Sequence, residues 1–324
     1  MSRLVFIDTN TYLSFYRLSN SDINEMQKML HAMASRELKV LLTDQVVDEY
    51  WRNREGVIAE ALKKFRQGRA PNQFPRLVHG YDELREIRKL SADLDKLVVK
   101  LAEIVEAAAG DELLLADKLV AKVFQGAEVL PVTDQVLVAA RSRFDRGNPP
   151  GKNQSYGDAI NWECLVRRTS TGEDLFVISG DGDFSSKLRP GAISQFLSRE
   201  WAAVADRGKI ELFDTIGSFF KKYYPDIELE IEFEQNRFVD DLLDSESFRA
   251  THVAIGQLDP LVNFTASQRQ RIIDAGLTNG QVYSIGQDDD VAEFYQKFLG
   301  RHGAELDDEG WRHFEEYFAV ARPT

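Results

Sequence analysis

Four consecutive apolar residues, Leu4, Val5, Phe6 and Ile7, run directly into Asp8-Thr9-Asn10 near the start of the chain. The lack of polar alternation constrains the fold more than any other feature. Such a strand must be covered on both faces, as in a parallel α/β sheet. A second apolar run, Leu175 to Ser179, ends the same way, in Gly180-Asp181-Gly182-Asp183-Phe184. Open parallel sheets bind ligands beyond the carboxyl ends of their strands, so both runs deliver acid to one edge.

The segments between them alternate. A helix is predicted over roughly 21–36 and a strand over Leu38–Leu42, with Thr43 or Asp44 as N-cap of a helix that carries Glu49 in its first two turns. From about 55 to 126 the pattern is helical and charged. Leu84, Ile87, Leu90, Leu94, Leu97, Val98, Leu101 and Ile104 recur at spacings of three and four, which predicts an amphipathic helix or hairpin broken near Gly110-Asp111. A helix begins over Pro131–Phe144, capped by Thr133 or Asp134, and the run from Asp145 through Asn148-Pro149-Pro150-Gly151 to Lys152 is a loop. The helix that starts near Ser155 places Asp158 and Asn161 on one face. A strand over Lys209–Phe213 and a helix over Thr215–Tyr224 close the unit. The expected fold class is α/β: a wound parallel sheet of about five strands flanked by helices, spanning residues 1–224, with a helical insertion at about 55–130. Beyond Pro225, Ile227–Phe233 alternates apolar residues with Glu and predicts one edge strand. Helices are expected near 238–250, 265–275, 290–300 and 307–320, making residues 225–324 a mainly helical, acidic region.

The net charge of −13 is unevenly distributed. Residues 226–324 hold 21 acidic and 8 basic residues, which leaves 32 of each in the rest of the chain. The excess acid is either a solubilising surface or a region that avoids nucleic acid and contacts a protein partner. Cys164 is the single cysteine, so neither an intrachain disulfide nor a multi-thiolate zinc site can form. No apolar run approaches the ~18 residues of a membrane span. No signal-peptide pattern opens the chain, and the expected location is cytoplasmic. The five His show no metal-binding spacing.

Asp8, Glu49, Asp158, Asp181 and Asp183 each fall at a strand end or in the first turns of a helix. Singly, each has a plain structural explanation: Asp8 capping a turn, Asp158 an N-cap, Asp181 and Asp183 loop acids. Together, several carboxylates on one sheet edge repel each other unless a divalent cation neutralises them. Mg²⁺ and Mn²⁺ select such oxygen donors.

In their order along the chain, Asp8-Thr9-Asn10, Glu49 within Val46-Val47-Asp48-Glu49-Tyr50, Gly157-Asp158-Ala159 and Ser179-Gly180-Asp181-Gly182-Asp183-Phe184 resemble the four acidic motifs of PIN-domain nucleases. The Asn-Pro-Pro loop before Gly157 is similar to a larger, bacterial PIN-like branch. The resemblance covers roughly residues 1–224; the long helical insertion departs from the compact family pattern, and the C-terminal third matches nothing in it. What the resemblance implies is a metal-dependent endoribonuclease acting on single-stranded or structured RNA, of the kind used by toxin-like or defence effectors. Asp8, Asp158 and Asp181 would hold one or two Mg²⁺ or Mn²⁺ ions, with Glu49 and Asp183 as direct or water-mediated ligands. Asp48 competes with Glu49 for the helix-borne position, and motif register favours Glu49. Thr9 or Ser179 would orient a carboxylate or touch phosphate, Asn10 would fix Asp8 from behind, and Glu163 is either an outer metal contact or an exposed helix residue. Because PIN-like proteins frequently dimerise, the resemblance also implies a homodimer.

Arg141, Arg143, Arg146 and Lys152 flank the Pro-Pro loop, and Arg52 and Arg54 lie beside Glu49. Each is either a phosphate-binding group or a solvated helix end. Tyr156 and Trp162 are either base-stacking rings or core. Two alternatives stand beside the ribonuclease: a catalytically weak scaffold that binds a protein through its acidic C-terminal region, and a DNA flap- or 5′-nuclease with the same carboxylate logic. A haloacid-dehalogenase-type phosphatase fails, because that chemistry wants a second Asp where Asn10 stands.

Overall fold

The structure, a computed structural model, describes residues 2–17, 24–67, 74–79, 81–151, 156–168, 172–203, 208–261, 263–303 and 306–322. Two compact units divide the chain, Met1–Pro225 and Asp226–Thr324.

The first unit is built on five strands: β1 (Arg3–Ile7), β2 (Leu38–Thr43), β3 (Glu128–Leu130), β4 (Leu175–Ile178) and β5 (Ile210–Phe213). All pairings are parallel, in the order β3-β2-β1-β4-β5. Val5 lies opposite Val40 on one side, and Ile7 opposite Ile178 on the other. Val5, Phe6, Val40, Leu41, Phe176, Val177 and Ile178 are buried whichever face they point to. That accounts for the unbroken apolar runs, and each such side chain contributes about 1.5–3 kcal/mol by leaving water. The chain winds outward from β1 through β2 to β3, then returns to β4 and β5 on the opposite side. The reversal leaves a crevice at the carboxyl ends of β1 and β4.

The helices of this unit are α1 (Thr9–Ser14), α2 (Asn24–Ala34), α3 (Asp44–Gln67), α4 (Asp82–Gly110), α5 (Leu115–Gly126), α6 (Asp134–Asp145), α7 (Gly157–Arg168), α8 (Gln195–Ala202) and α9 (Ile216–Tyr223). The insertion is held at its base by a buried cluster. Arg54 of α3 donates from Nε and Nη2 to both oxygens of Asp117 on α5, at 2.7 and 2.6 Å, and from Nη2 to the Ala109 carbonyl at 3.0 Å. The Tyr16 hydroxyl donates to Asp117 and shares a 2.6 Å hydrogen bond with Tyr50. Arg54 is therefore a structural cation, not a phosphate contact. The helix breaks where expected, α4 ending at Gly110 with Asp111 as its C-cap, and Glu112 then takes a positive φ of 57°. Leu84 packs inward, but most of the apolar stripe of α4 is exposed.

The second unit is helical: α10 (Ile227–Leu243), α11 (Phe248–Leu258), α12 (Ala266–Thr278), α13 (Gly280–Ser284), α14 (Asp289–His302) and α15 (Asp308–Phe318). Val239, Leu242, Ile255, Leu258, Ile272, Tyr295, Phe314 and Phe318 lie in its own hydrophobic core. The edge strand expected over Ile227–Phe233 is instead the first half of α10. Its alternation is local only. Further on, Gln235, Val239 and Leu242 bury one face at helical spacing, the glutamates are good helix formers, and Phe233 stays 77% exposed. Thr265 and Gln268 form the expected capping box, each side chain bonded to the other's backbone N–H.

Among the described residues no helix is long and apolar enough to cross a membrane.

Candidate functional site

Asp8 is the residue after β1 and the N-cap of α1, yet its side chain caps nothing. Its Oδ2 instead accepts a 2.9 Å hydrogen bond from the Ser179 hydroxyl at the end of β4, and Ser179 Oγ accepts from the Asp181 N–H at 3.1 Å. The adjacent parallel strands thus lock their two terminal residues together inside the crevice. Asp8 and Ser179 are 4% and 2% exposed.

Asp158 enters from α7 and Glu49 from α3. An added Cβ on Gly157 would stand 3.0 Å from Gln45 Nε2 and 3.2 Å from Glu49 Oε2, so the small residue lets the start of α7 close on the Glu49 carboxylate. Gln45 Nε2 donates to the same oxygen at 3.3 Å. One further contact sets α7 against α3: Thr43 Oγ1 donates to Asn161 Oδ1 at 2.6 Å and accepts from the Val46 N–H at 3.1 Å. Glu49 is half-buried, whereas Asp48 is exposed.

The electrostatics join these groups. Burial pushes the Asp8 carboxyl up from 3.8 to about 6; the Ser179 bond opposes this, and Glu49 and Asp181 add to it. Asp158 is pushed up to about 8, first by burial and then by the charges of Asp8, Asp181, Asp183 and Glu49. All five carboxylates therefore act on one poorly solvated space. Among the described residues, however, no three His, Cys, Asp or Glu side chains stand close enough together to hold an ion as placed. Asp181 and Asp183 sit on the loop after β4, Asp181 exposed and Asp183 half-buried. In donor chemistry the set fits a hard divalent cation: every group is a carboxylate and no soft ligand is present. Two fully buried polar groups beside it, Thr9 Oγ1 and Asn161 Nδ2, have no hydrogen-bond partner. A cleft of about 650 Å³ lined by Asn10, Arg17, Glu25, Asp181 and Asp214 adjoins the site.

Several expectations are overturned. Asn10 is exposed and lines the cleft instead of fixing Asp8, and of the residues expected to orient a carboxylate it is Ser179 that bonds to Asp8. Glu163 accepts from Arg143 Nε and Nη2 at 3.0 and 2.9 Å and from Arg167 at 2.8 Å, so its charge is spent on arginines. Arg143 is 5% exposed and also binds Glu200 and the Pro149 carbonyl, which removes it from any phosphate-binding rim. Trp162 is fully buried, its Nε1 donating to Glu200 Oε2 at 2.9 Å. The Tyr156 ring lies 4.3 Å from that of Phe144, with the Arg141 guanidinium 5.3 Å away on its face. Arg52 and Arg146 are exposed, and Lys152 lies outside the described residues.

The molecule is thus an α/β protein with an acidic centre at the switch point of a wound parallel sheet. The PIN domain family model matches residues 5–184, more than half of the chain, and the chain belongs to that family, whose members are generally nucleases and typically use divalent metals. No curated protein and no solved structure matches it.

Proposed function

We propose that the protein is a Mg²⁺- or Mn²⁺-dependent endoribonuclease hydrolysing phosphodiester bonds of single-stranded or structured RNA. The observation that carries this reading is the mutual electrostatic action of Asp8, Glu49, Asp158, Asp181 and Asp183 at the switch point. Asp8, Asp158 and Asp181 would hold the cation, with Glu49 and Asp183 as direct or water-mediated ligands. When bound, the cation supplies polarisation of the phosphate and acidification of the attacking water.

The chain's own groups prepare for this. The Ser179 hydroxyl engages Oδ2 of Asp8 and fixes the carboxylate's orientation. Gln45 does the same for Glu49, and the Thr43–Asn161 bond fixes the helices that carry Glu49 and Asp158. Burial and the neighbouring carboxylates hold the Asp158 carboxyl well above the usual range, so this residue would release a proton on taking up a cation. The exposed Arg52 and Arg146 would receive substrate phosphates.

The test compares labelled single-stranded RNA, structured RNA, single-stranded DNA and a DNA flap, with Mn²⁺, with Mg²⁺ and with chelator. The expected result is cation-dependent internal cleavage of RNA, lowered at least about 100-fold in both Asp8→Asn and Asp158→Asn, the scale set by losing electrostatic stabilisation. Full activity in both variants removes the site, and preferential cleavage of the flap reassigns the substrate to DNA.

A further inference from the structure

The amphipathic stripe of α4 does not face the core. Leu84, Ala102 and Ala109 are buried, and α4 packs against α3. The neighbouring stripe, Ile87, Leu90, Leu94, Leu97, Leu101 and Ile104, is 48, 62, 48, 63, 49 and 56% exposed. Six half-exposed aliphatic side chains in one row amount to on the order of 600 Å² of apolar surface, at the top of what a monomer usually shows to water. Their spacing alternates three and four from Ile87 to Ile104 without a break, which is the a/d seam of a coiled coil about 26 Å long.

From this we infer that the α4 stripe is a homodimer interface, an antiparallel two-helix seam with a second copy of this chain. Charge selects the occupant and its direction. The positions flanking the seam on its free side are Glu86, Asp93 and Lys100. In an antiparallel pair centred on Leu94 against the second copy's Leu97, Asp93 of each copy lies across from Lys100 of the other, giving two opposite-charge contacts related by the two-fold axis. A parallel pair would set Asp93 and Lys100 against Val98 and Val105, which are half-buried, and leave both charges unmatched. Asp93 now pairs only with Lys96 of its own helix, at 3.2 Å between exposed groups, a contact that costs little to exchange. The helix is already held by the fold, so association does not have to pay for ordering it. With about 1,200 Å² buried in total, the interface falls at the small end of specific ones, and a dissociation constant near micromolar is expected. The inference is independent of the nuclease reading.

Sedimentation equilibrium of the full-length protein between about 1 and 50 μM is the test. The expected result is reversible association towards twice the chain mass of 36.9 kDa. Leu94→Glu/Leu97→Glu should weaken it at least about 100-fold, with far-UV circular dichroism and Tm unchanged, since both side chains are on the surface. Asp93→Lys and Lys100→Asp should each weaken association, and the double exchange should restore it to within about threefold, a recovery that only a cross-pair predicts. A monomer at 50 μM overturns the proposal, as does a dimer indifferent to Leu94→Glu/Leu97→Glu. Failure of the charge exchange to recover association overturns the antiparallel arrangement.

Discussion

Ser179 and Asp8 lie 171 positions apart in sequence, yet the Ser179 hydroxyl donates to Asp8 Oδ2 at 2.9 Å. The bond exists because β1 and β4 are parallel neighbours in a register that sets Ile7 beside Ile178, so the residue after each strand emerges at the same height. It is also the strongest influence that lowers the Asp8 pKa against the effect of burial.

Ser179→Ala should therefore move the Asp8 titration to still higher pH. Mn²⁺ affinity measured by calorimetry should fall about 10–100-fold at neutral pH, as expected when a ligand's supporting partner is lost. Affinity equal to wild type would mean that Asp8 does not depend on this bond.

The acidic centre should make metal-free stability depend on pH in an unusual direction. The folded pKa values of Asp8 and Asp158, about 6 and about 8, lie above the 3.8 of a freely solvated Asp carboxyl. Folding thus favours the protonated forms, and the stability they contribute is complete below about pH 4 and lost as pH rises through 6 and then 8. At about 1.4 kcal/mol per pH unit, the loss for the two groups together is on the order of 9 kcal/mol. In chelator, Tm should decline between pH 5 and 8, and Asp158→Asn should flatten that decline and exceed wild type at pH 8. Mg²⁺ or Mn²⁺ should raise Tm more at pH 8 than at pH 5. Thermal melts with identical pH profiles for wild type and Asp158→Asn would contradict this.

Arg143 and Arg146 should separate cleanly. Arg143→Ala breaks a buried network with Glu163 and Glu200 and should cost about 3–5 kcal/mol of stability. The salt dependence of RNA binding should remain as in wild type. Arg146→Ala and Arg52→Ala should leave Tm nearly unchanged and each lower the slope of log K against log salt by about 1. Unchanged slopes in both would remove these side chains from the substrate path.

Asp117 should be one of the most sensitive positions in the first unit. It accepts from Arg54, from Tyr16 and from the Leu114 N–H, and is 5% exposed. Asp117→Ala leaves the Arg54 cation buried without its partner, which costs about 3–5 kcal/mol, or roughly 10 °C in Tm for a unit of this size. A calorimetric Tm within 2–3 °C of wild type, less than ~1 kcal/mol, would mean that water takes over the role.

The class of fold was readable because buried parallel strands cannot alternate, and Leu4–Ile7 and Leu175–Ile178 carry no polar residue. The third strand was counted in the sheet but not placed, since Glu128–Leu130 is three residues long and follows a helix with only Ala127 between them. Helices α1 and α8 went unread, α1 because it begins directly after Asp8 and is six residues long. Around the site, residue type alone does not tell which charge is spent on the fold. Arg143 and Arg146 look alike in sequence, and three positions, nearly one helical turn, bury the first and expose the second. Thr43 and Asn161 were visible as an N-cap and as a helix-face polar residue, but their mutual bond spans 118 positions and needs the sheet to bring them together. Asn10 was credited with the bond that Ser179 makes, because proximity in sequence stood in for proximity across strands.

The helical unit from Asp226 onward has a greasy interior of its own, in which the tilted rings of Tyr295, Phe314 and Phe318 pack at centroid distances of 4.6–5.2 Å. A core of this kind leads to the expectation that the module refolds by itself. Expressed as 226–324, it should give a cooperative melt and dispersed methyl resonances, and a protease that nicks near Pro225 should leave two persistent bands instead of a ladder.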